Sequence, residues 1–295
     1  MTQVRFEAAR SLWPLALAVL VGACGGPPLA PGAIPAAPEL EAPSGAPLAV
    51  SLGATLVALS ASPDGLHVLT VGGVREVQWS PLGLGPLAGT VGRAEIEAPR
   101  GLDATNVQDL YVADGDRVLR FSDEGLLVQA LRVPAVDRLD ALTPEVATPG
   151  EAAAVASGAG GVVFVAEASR GTVQVWQGGQ LVDVLGGFDG PRALAVRGRR
   201  LFVLDRQRLH VRDTAGAVLG AVRADGATSL APLGDGVLMV SQADVEALAP
   251  NGDRLWRTPL VSEAPVLGAA VVGETLFVLT PEALTAVGVV PPEAP

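Results

Sequence analysis

A short pattern of apolar strand, polar turn and second strand repeats six times along this chain. Its clearest copy is LYVADGDRVLRFSDEG at 110–125, where a mostly apolar run leads into a Gly-Asp turn and then into a second apolar run. The first strand of each copy, here called the anchor strand, has Val at its third position. The six anchor strands are LHVLT at 66–70, LYVAD at 110–114, VFVAE at 163–167, LFVLD at 201–205, LMVSQ at 238–242 and LFVLT at 276–280. They begin 44, 53, 38, 37 and 38 residues apart.

A repeat of about forty residues that holds three or four short strands is typical of the blades of a β-propeller. The anchor strands are almost continuously apolar, which indicates strands that are buried on both faces between neighbouring blades. We therefore expect an all-β, six-bladed β-propeller over residues 47–295.

Individual repeats resemble known propeller families. Residues 110–125 resemble an NHL-type repeat, in which an apolar strand ends in Asp and leads into a short aromatic-containing strand, and LFVLDRQRLHVRDTAG at 201–216 is similar. VEALAPNGDRLWRTPL at 245–260 instead resembles the repeat of quinoprotein-like propellers. The resemblance extends over about 47–292 and implies the fold, but no particular chemistry.

The two ends of the repeat region predict how the ring closes. The last repeat, from Val266 to Val290, has only three obvious strands, while a short strand-like segment, PLAVSL at 47–52, precedes the first repeat. We expect this segment to supply the outer strand of the last blade, because closure removes exposed sheet edges.

The longest spacing between anchor strands contains an insertion, PAVDRLDALTPEVATPGE at 134–151. We expect it to join the outer strand of one blade to the inner strand of the next and to contain a short helix at 136–142. Long surface connections often carry binding residues. Asp137, Arg138 and Asp140 are therefore candidate binding residues, and the alternative is a solvated insertion without a role.

Composition limits the classes of function. Hydrophobic residue types make up 49% of the 295 residues, while 36 glycines and 24 prolines disfavour long helices. The net charge of −11 argues against nucleic-acid binding. The chain has no Lys, so all 20 basic residues are Arg and chemistry that needs a lysine is excluded.

The N-terminus has the features of an exported lipoprotein. Arg5 and Arg10 precede an apolar run at 12–21 that is too short to span a bilayer as a helix, and VGAC at 21–24 resembles the lipobox of bacterial lipoproteins. We expect residues 1–23 to be a signal peptide and Cys24 to be acylated; the alternative is an ordinary signal peptide with an incidental Cys. Gly25 after the Cys favours the outer membrane by that family's sorting rule.

The segment after Cys24 is rich in Pro and Ala. Residues 24–46 contain prolines every few positions and few large apolar side chains, which predicts a semi-extended tether. Without residues 1–23 the chain carries 18 Arg and 30 acidic residues. Anionic headgroups repel such a surface, so the lipid anchor would hold the protein to the membrane.

Candidate metal ligands are few. His67 and His210 lie far apart without a nearby partner, which favours ordinary packing over a zinc site. Asp114, Glu167 and Asp205 share the last position of their anchor strands. They could converge on a cation in a central channel, as in six-bladed lactonases and esterases, but local bonding to backbone N–H groups is the favoured interpretation.

The fourth repeat is unusually rich in arginine. Arg206 and Arg208 fall in one predicted hairpin turn, while Arg197, Arg199 and Arg200 fall in the preceding turn. Because consecutive turns lie on opposite faces of a propeller, we expect two small basic spots. Arg206 and Arg208 are candidate binding residues for an anion or an acidic partner.

These features favour a non-catalytic envelope lipoprotein whose propeller is a protein-binding or assembly scaffold. We expect no catalytic residue, metal site or cofactor, and a monomer or a member of a hetero-complex. The alternative is a propeller hydrolase, lactonase- or esterase-like, with a metal in the central channel. A third interpretation, a redox quinoprotein, depends on the 245–260 repeat and on Trp79, Trp176 and Trp256, which are better explained by blade packing.

Overall fold

The computed structural model confirms the six-bladed β-propeller. It describes residues 49–50, 54–63, 65–80, 83–106, 109–141, 148–260 and 262–288. These residues form six four-stranded antiparallel sheets, one for each blade. In blades 1 to 5 the four strands follow one another from the centre to the rim in chain order.

The strand bounds follow the repeat closely. Blade 1 contains β2 (Leu56–Ser62), β3 (Gly65–Thr70), β4 (Gly73–Ser80) and β5 (Gly83–Val91). Blade 2 contains β6 (Pro99–Asn106), β7 (Asp109–Asp114), β8 (Arg117–Ser122) and β9 (Leu127–Arg132). Blade 3 contains β10 (Ala152–Ser157), β11 (Val162–Glu167), β12 (Thr172–Gln177) and β13 (Gln180–Leu185).

The second half of the ring repeats this arrangement. Blade 4 contains β14 (Ala193–Arg197), β15 (Arg200–Leu204), β16 (Arg208–Asp213) and β17 (Val218–Arg223). Blade 5 contains β18 (Ala227–Leu233), β19 (Gly236–Ser241), β20 (Asp244–Leu248) and β21 (Arg254–Pro259). Blade 6 contains β22 (Gly268–Val272), β23 (Thr275–Leu279), β24 (Leu284–Gly288) and β1 (Ala49–Val50).

The first strand of each blade lines the centre of the ring, where it packs against the first strands of both neighbouring blades. The antiparallel order gives the ring two different faces. The connection face carries the links from one blade to the next and the turns that follow the anchor strands. The hairpin face carries the turns that join the first and second strands of each blade.

The hydrophobic core lies between blades, as the apolar anchor strands predict. In β11, Val163 and Val165 pack into the cluster shared with blade 2, whereas Phe164 packs into the cluster shared with blade 4. Six such clusters, one at each junction, account for the buried apolar side chains around the ring. Alternation within an anchor strand therefore divides its side chains between two apolar layers.

The ring closes through its N-terminal strand. In β1, Ala49 pairs with Thr285 and Val50 pairs with Leu284 of β24 in antiparallel register. This strand is the outermost member of blade 6, which confirms the closure predicted from the three-stranded last repeat.

Blades 6 and 1 come very close together at Gly268. A Cβ atom at this position would lie 2.7 Å from the backbone nitrogen and 3.0 Å from the Cβ of Leu59 in β2. The absence of a side chain therefore permits the two inner strands to pack at the closure of the ring.

The insertion joins β9 to β10 on the connection face, as predicted. Its two ends are held together by a bridge between Pro134 and Pro149. Instead of a helix over 136–142, the described part has a single 3-10 turn at Leu139–Ala141, which packs against β13; Leu142 lies outside the described residues. Within the part of the chain that the structure describes, no helix is long and apolar enough to cross a bilayer.

Candidate functional site

The inner strands surround a central cavity of about 240 Å³ that opens at the hairpin face. All six blades contribute to its wall. The apolar part of the wall includes four small side chains, Ala61, Ala156, Ala195 and Ala270, from blades 1, 3, 4 and 6. The polar lining is Ser60, Ser62, Asp103, Thr105 and Arg197.

Asp103 is a buried carboxylic acid on this wall, only 4% exposed. Its Oδ2 accepts the N–H of Ser157 in blade 3 at 2.6 Å, and its Oδ1 accepts the N–H of Thr105 at 3.1 Å and the Thr105 hydroxyl at 2.7 Å. Burial raises the pKa of Asp103, an effect that these hydrogen bonds partly oppose. Asp103 thus connects the inner strands of blades 2 and 3.

Ser60 makes the corresponding connection between blades 1 and 2, since its hydroxyl oxygen accepts the N–H of Ala104 at 2.9 Å. Sequence reasoning missed both residues. The strand register could have pointed to them. Ser60 and Asp103 each come directly after the residue that pairs with the third-position Val of the anchor strand. The first strands of blades 3, 4 and 6 have Ala at the same position.

Ser62 and His67 lie together beside the cavity, with 3.1 Å between Oγ and Nε2. This contact was not predicted, because Ser62 and His67 do not have the spacing of a recognisable Ser–His motif. The Ser62 hydroxyl is also 3.5 Å from the carbonyl oxygen of Gly65, within the turn between β2 and β3. The arrangement is that of a turn-stabilising hydroxyl and a neighbouring strand residue.

The three arginines predicted in one hairpin turn lie at the cavity mouth. Arg197 lines the cavity, and Arg199 and Arg200 line a shallow depression next to it on the same face. Within the described residues, no ion pair involves the side chains of these three arginines. Asp213 and Asp235 line the same depression, but neither forms an ion pair with these arginines.

On the connection face, the strand-end carboxylates bind backbone N–H groups, as the favoured interpretation predicts. Asp114 Oδ1 accepts the N–H groups of Glu97 and Ala98 at 3.0 and 2.5 Å, while its Oδ2 pairs with the Arg117 guanidinium at 2.9 Å. Both oxygens of Asp114 are therefore engaged by groups of its own blade and of the preceding connection.

Glu167 has an equivalent role in blade 3. Its Oε1 accepts the N–H groups of Glu151 at 3.0 Å and of Ser169 at 3.1 Å, and its Oε2 accepts the N–H of Arg170 at 2.9 Å. The carboxylate thus joins the incoming connection to the turn after the anchor strand.

Asp205 has four donors. Oδ1 accepts the N–H groups of Gln207 and Arg208 at 2.9 and 2.7 Å, and Oδ2 accepts the N–H of Asp189 at 3.1 Å and contacts Nε2 of His210 at 2.7 Å. Burial alone would raise the pKa of Asp205, but these hydrogen bonds together lower it below its usual value. His210 is therefore a partner of the strand-end carboxylate.

The predicted binding residues of the insertion are exposed on the connection face. Arg138 Nε lies 2.8 Å from Asp140 Oδ1, and Asp137 Oδ2 lies 3.9 Å from Arg170 in blade 3. Leu139, between them, is 41% exposed. The exposed Leu139 side chain therefore lies among four charged side chains, those of Asp137, Arg138, Asp140 and Arg170.

Arg206 and Arg208 lie on the same face in blade 4, also exposed. Arg206 covers Gly190 and pairs at 3.6 Å with Asp189. Nearby, Nε and Nη2 of Arg192 are buried without a hydrogen-bond partner, and burial lowers the pKa of Arg192. Within the described chain, no ion pair or hydrogen bond links this basic spot to the residues of the insertion, so the structure does not join the candidates into one site.

His67 and His210 lie in blades 1 and 4 and are not brought together. Among the residues that the structure describes, no group of three or more His, Cys, Asp or Glu side chains is placed to hold a metal ion. Trp176 and Trp256 are buried between blades, as blade packing predicts; the side chain of Trp79 and the whole of Cys24 lie outside the described set.

No protein-family model and no curated protein sequence matches this chain. Solved propeller structures do. A catalytically inactive variant of virginiamycin B lyase from Staphylococcus aureus, crystallised with quinupristin, is similar with a TM-score of 0.57 and 13% identity, over 81% of this chain and 82% of that one.

Two further structures agree. Selenomethionine-substituted virginiamycin B lyase from Staphylococcus aureus gives a TM-score of 0.56 at 10% identity, over 82% of this chain and 98% of that one. A streptogramin B lyase gives 0.56 at 11% identity, over 82% and 96%. At such identities the similarity establishes the six-bladed propeller fold and leaves the chemistry open.

Proposed function

We propose that this chain is a non-catalytic bacterial lipoprotein, built from NHL-like repeats, that binds a partner protein on the connection face of its propeller. Acylated Cys24 would anchor it in the cell envelope, at the outer membrane, and residues 24–46 would tether the propeller. Stable anchoring of a protein to a membrane needs at least two lipid signals, such as two acyl chains, and a stable anchor suits a scaffold.

The observation that carries the binding proposal is the exposed Leu139 on its 3-10 turn. Protein interfaces commonly have an apolar anchor surrounded by polar groups. Here the anchor is 41% exposed, the bridge from Pro134 to Pro149 closes the base of the insertion, and Asp137, Arg138 and Asp140 surround the tip. The turn also packs against β13, the outer strand of blade 3.

The basic spot of blade 4 gives the same face a second recognition element. Arg206 and Arg208 are exposed there, and the half-buried Arg192 has two nitrogens without a hydrogen-bond partner among the described residues. An acidic segment of the partner would complement this charge.

The alternative is a hydrolase with a metal in the channel. The similarity to lyases of the same fold is the reason to keep an enzyme as the alternative. Its metal would need carboxylates that are free to coordinate. The strand-end carboxylates bind backbone N–H groups, arginine or histidine through both oxygens. Their commitment to local structure is the argument that favours the scaffold.

Site-specific photocrosslinking in intact envelopes tests the proposal. A photoreactive residue replaces Leu139 in the full acylated chain, and the matched control carries it at Val218, an equally apolar position that is 68% exposed on the outer strand of blade 4. We expect a discrete protein adduct from position 139 and none from position 218. Equal adducts from both positions, or none from either, would contradict the proposal.

A further inference from the structure

We propose that the mouth of the central cavity, on the hairpin face, binds a small monocarboxylate with an apolar body. Arg197 would pair with the carboxylate, and the body would fill the cavity. This site lies on the face opposite to the insertion, so it is independent of the proposed protein-binding role.

The first argument is the state of the arginines. Ten arginines of the described chain form ion pairs with acidic side chains, for example Arg120 with Asp109 at 2.7 Å and Arg254 with Glu246 at 2.7 Å. Arg212 instead lies over the Phe188 ring at 4.6 Å and donates to the carbonyl oxygen of Gly186. Arg197 has neither kind of partner within the described residues, and it borders the cavity.

Arg199 and Arg200 increase the positive potential around Arg197, whereas Asp213 and Asp235, which line the same depression, oppose it. Arg199 and Arg200 come from the same turn, and Asp213, the acid opposite Arg200 across the strands, binds the N–H groups of Ala215 and Ala217 through Oδ1. A guanidinium with its donors free is well suited to a planar carboxylate, which it can bind through two parallel hydrogen bonds.

The second argument is the lining. Blades 5 and 6 contribute Leu230, Pro232, Ala269 and Val271 to the wall, and all of these are apolar. The polar side chains of the lining come from blades 1, 2 and 4, so the apolar body of a ligand can pack against blades 5 and 6. A volume of about 240 Å³ corresponds to roughly eight water molecules at about 30 Å³ each, which suits a small molecule.

The third argument sets the charge of the ligand. Asp103 lies on the wall and would repel a dianion such as a phosphate monoester more than a monoanion. Ser60, in blade 1 opposite Arg197, accepts the N–H of Ala104 and has its own hydroxyl hydrogen without an acceptor among the described residues. The far wall thus offers one hydrogen-bond donor, the Ser60 hydroxyl, and the mouth offers one cation, the Arg197 guanidinium.

The test uses hexanoate as the probe and hexanamide as its neutral counterpart. Both are titrated into the full chain while methyl resonances of Val196 and Val271, two cavity-lining residues, are followed by NMR. We expect saturable shifts with hexanoate and at least tenfold weaker binding of hexanamide, since a charge-assisted pair is lost.

Two variants complete the test. Arg197→Ala should weaken hexanoate binding by roughly tenfold or more, whereas Arg223→Ala, which removes an exposed arginine of the outer strand of the same blade, should leave it unchanged. Ala61→Leu, which fills part of the cavity, should weaken both probes. Equal affinities for hexanoate and hexanamide, equal effects of the two arginine variants, or shifts confined to other surfaces would each overturn the proposal.

Discussion

Asp103, in the inner strand of blade 2, accepts the backbone N–H of Ser157, in the inner strand of blade 3, at 2.6 Å. The two strands belong to different sheets, so this bond joins neighbouring blades, in addition to their apolar packing and to the Ala152 N–H that donates to the carbonyl oxygen of Gly115. Ser60 and Ala104 form the same kind of link between blades 1 and 2. Side chains of inner strands thus connect consecutive blades at two of the six junctions of the ring.

Replacing Asp103 with Ala should lower the free energy of unfolding by about 2 kcal/mol, because the N–H groups of Thr105 and Ser157 lose their acceptor. The control is Asp183→Ala, which removes an exposed carboxylate that binds only the next N–H, and it should change little. Chemical denaturation measures both. Comparable losses would show that Asp103 does not connect the blades.

The pH dependence of that difference has a defined sign. Burial raises the pKa of Asp103 in the folded state, so the folded chain holds this proton more tightly than the unfolded chain. The stability of the wild-type chain relative to Asp103→Ala should be greatest below the unfolded pKa of about 3.9 and decrease as pH rises through the raised pKa. A difference that grows with pH would contradict this.

Asp205 should show the opposite pH dependence. Its folded pKa is lowered, so its contribution is present above the unfolded pKa and is lost as pH falls through the folded pKa. Asp205→Ala should cost about 2–3 kcal/mol at neutral pH because three backbone N–H groups lose their acceptor. Asp189→Ala, which removes an exposed acid in a weak pair with Arg206, should cost about 0.5 kcal/mol or less.

Thermal or urea unfolding across pH separates the two aspartates. If the deficit of Asp205→Ala persisted unchanged in strong acid, the carboxylate would not be the group that holds the turn to the preceding connection.

Gly268 permits the close approach of blades 6 and 1. Gly268→Ala should destabilise the chain by about 1–3 kcal/mol, since the new methyl group would overlap the backbone of Leu59. Gly186→Ala is the matched control, because no heavy atom lies within 4 Å of the added Cβ. Equal melting temperatures for the two variants would mean that the inner strands can separate at no cost.

Ring closure by β1 predicts unequal effects of two short deletions. Removing residues 47–52 should cost about 1–2 kcal/mol through the lost backbone hydrogen bonds to β24. Removing six residues of the tether, 36–41, should leave unfolding unchanged. Two deletion variants with the same midpoint would contradict the closure.

The sequence predicted the fold well because every blade repeats one local pattern. The Val at the third position of each anchor strand and the spacing near 38 residues follow from burial between two blades, which is a local requirement. The missing fourth strand of the last repeat predicted the pairing of Val50 with Leu284. Local bonding of the strand-end acids to backbone N–H groups was also predicted, and Glu167 and Asp205 meet N–H groups of the following turn, whereas Asp114 binds those of the preceding connection.

The cavity could not be predicted in the same way. Ser60, Asp103 and Arg197 are 43 and 94 residues apart and become neighbours of one space only because inner strands of different blades surround it. The helix expected at 136–142 was wrong. The segment is held at its two ends by the bridge between Pro134 and Pro149, and the described part forms one 3-10 turn that packs against β13. Tertiary contacts overrode a weak helical propensity.

The most direct test of the scaffold proposal compares Leu139→Asp with Val218→Asp in affinity capture from envelopes. Carboxyl-directed or photoreactive crosslinkers are needed, because the chain has no Lys. Both changes place a charge on an exposed apolar position, so neither should unfold the propeller. The account predicts that one envelope protein is recovered with the wild-type chain and with Val218→Asp, and is reduced at least about tenfold with Leu139→Asp. Equal recovery with both variants, or no specific protein with the wild-type chain, would contradict it.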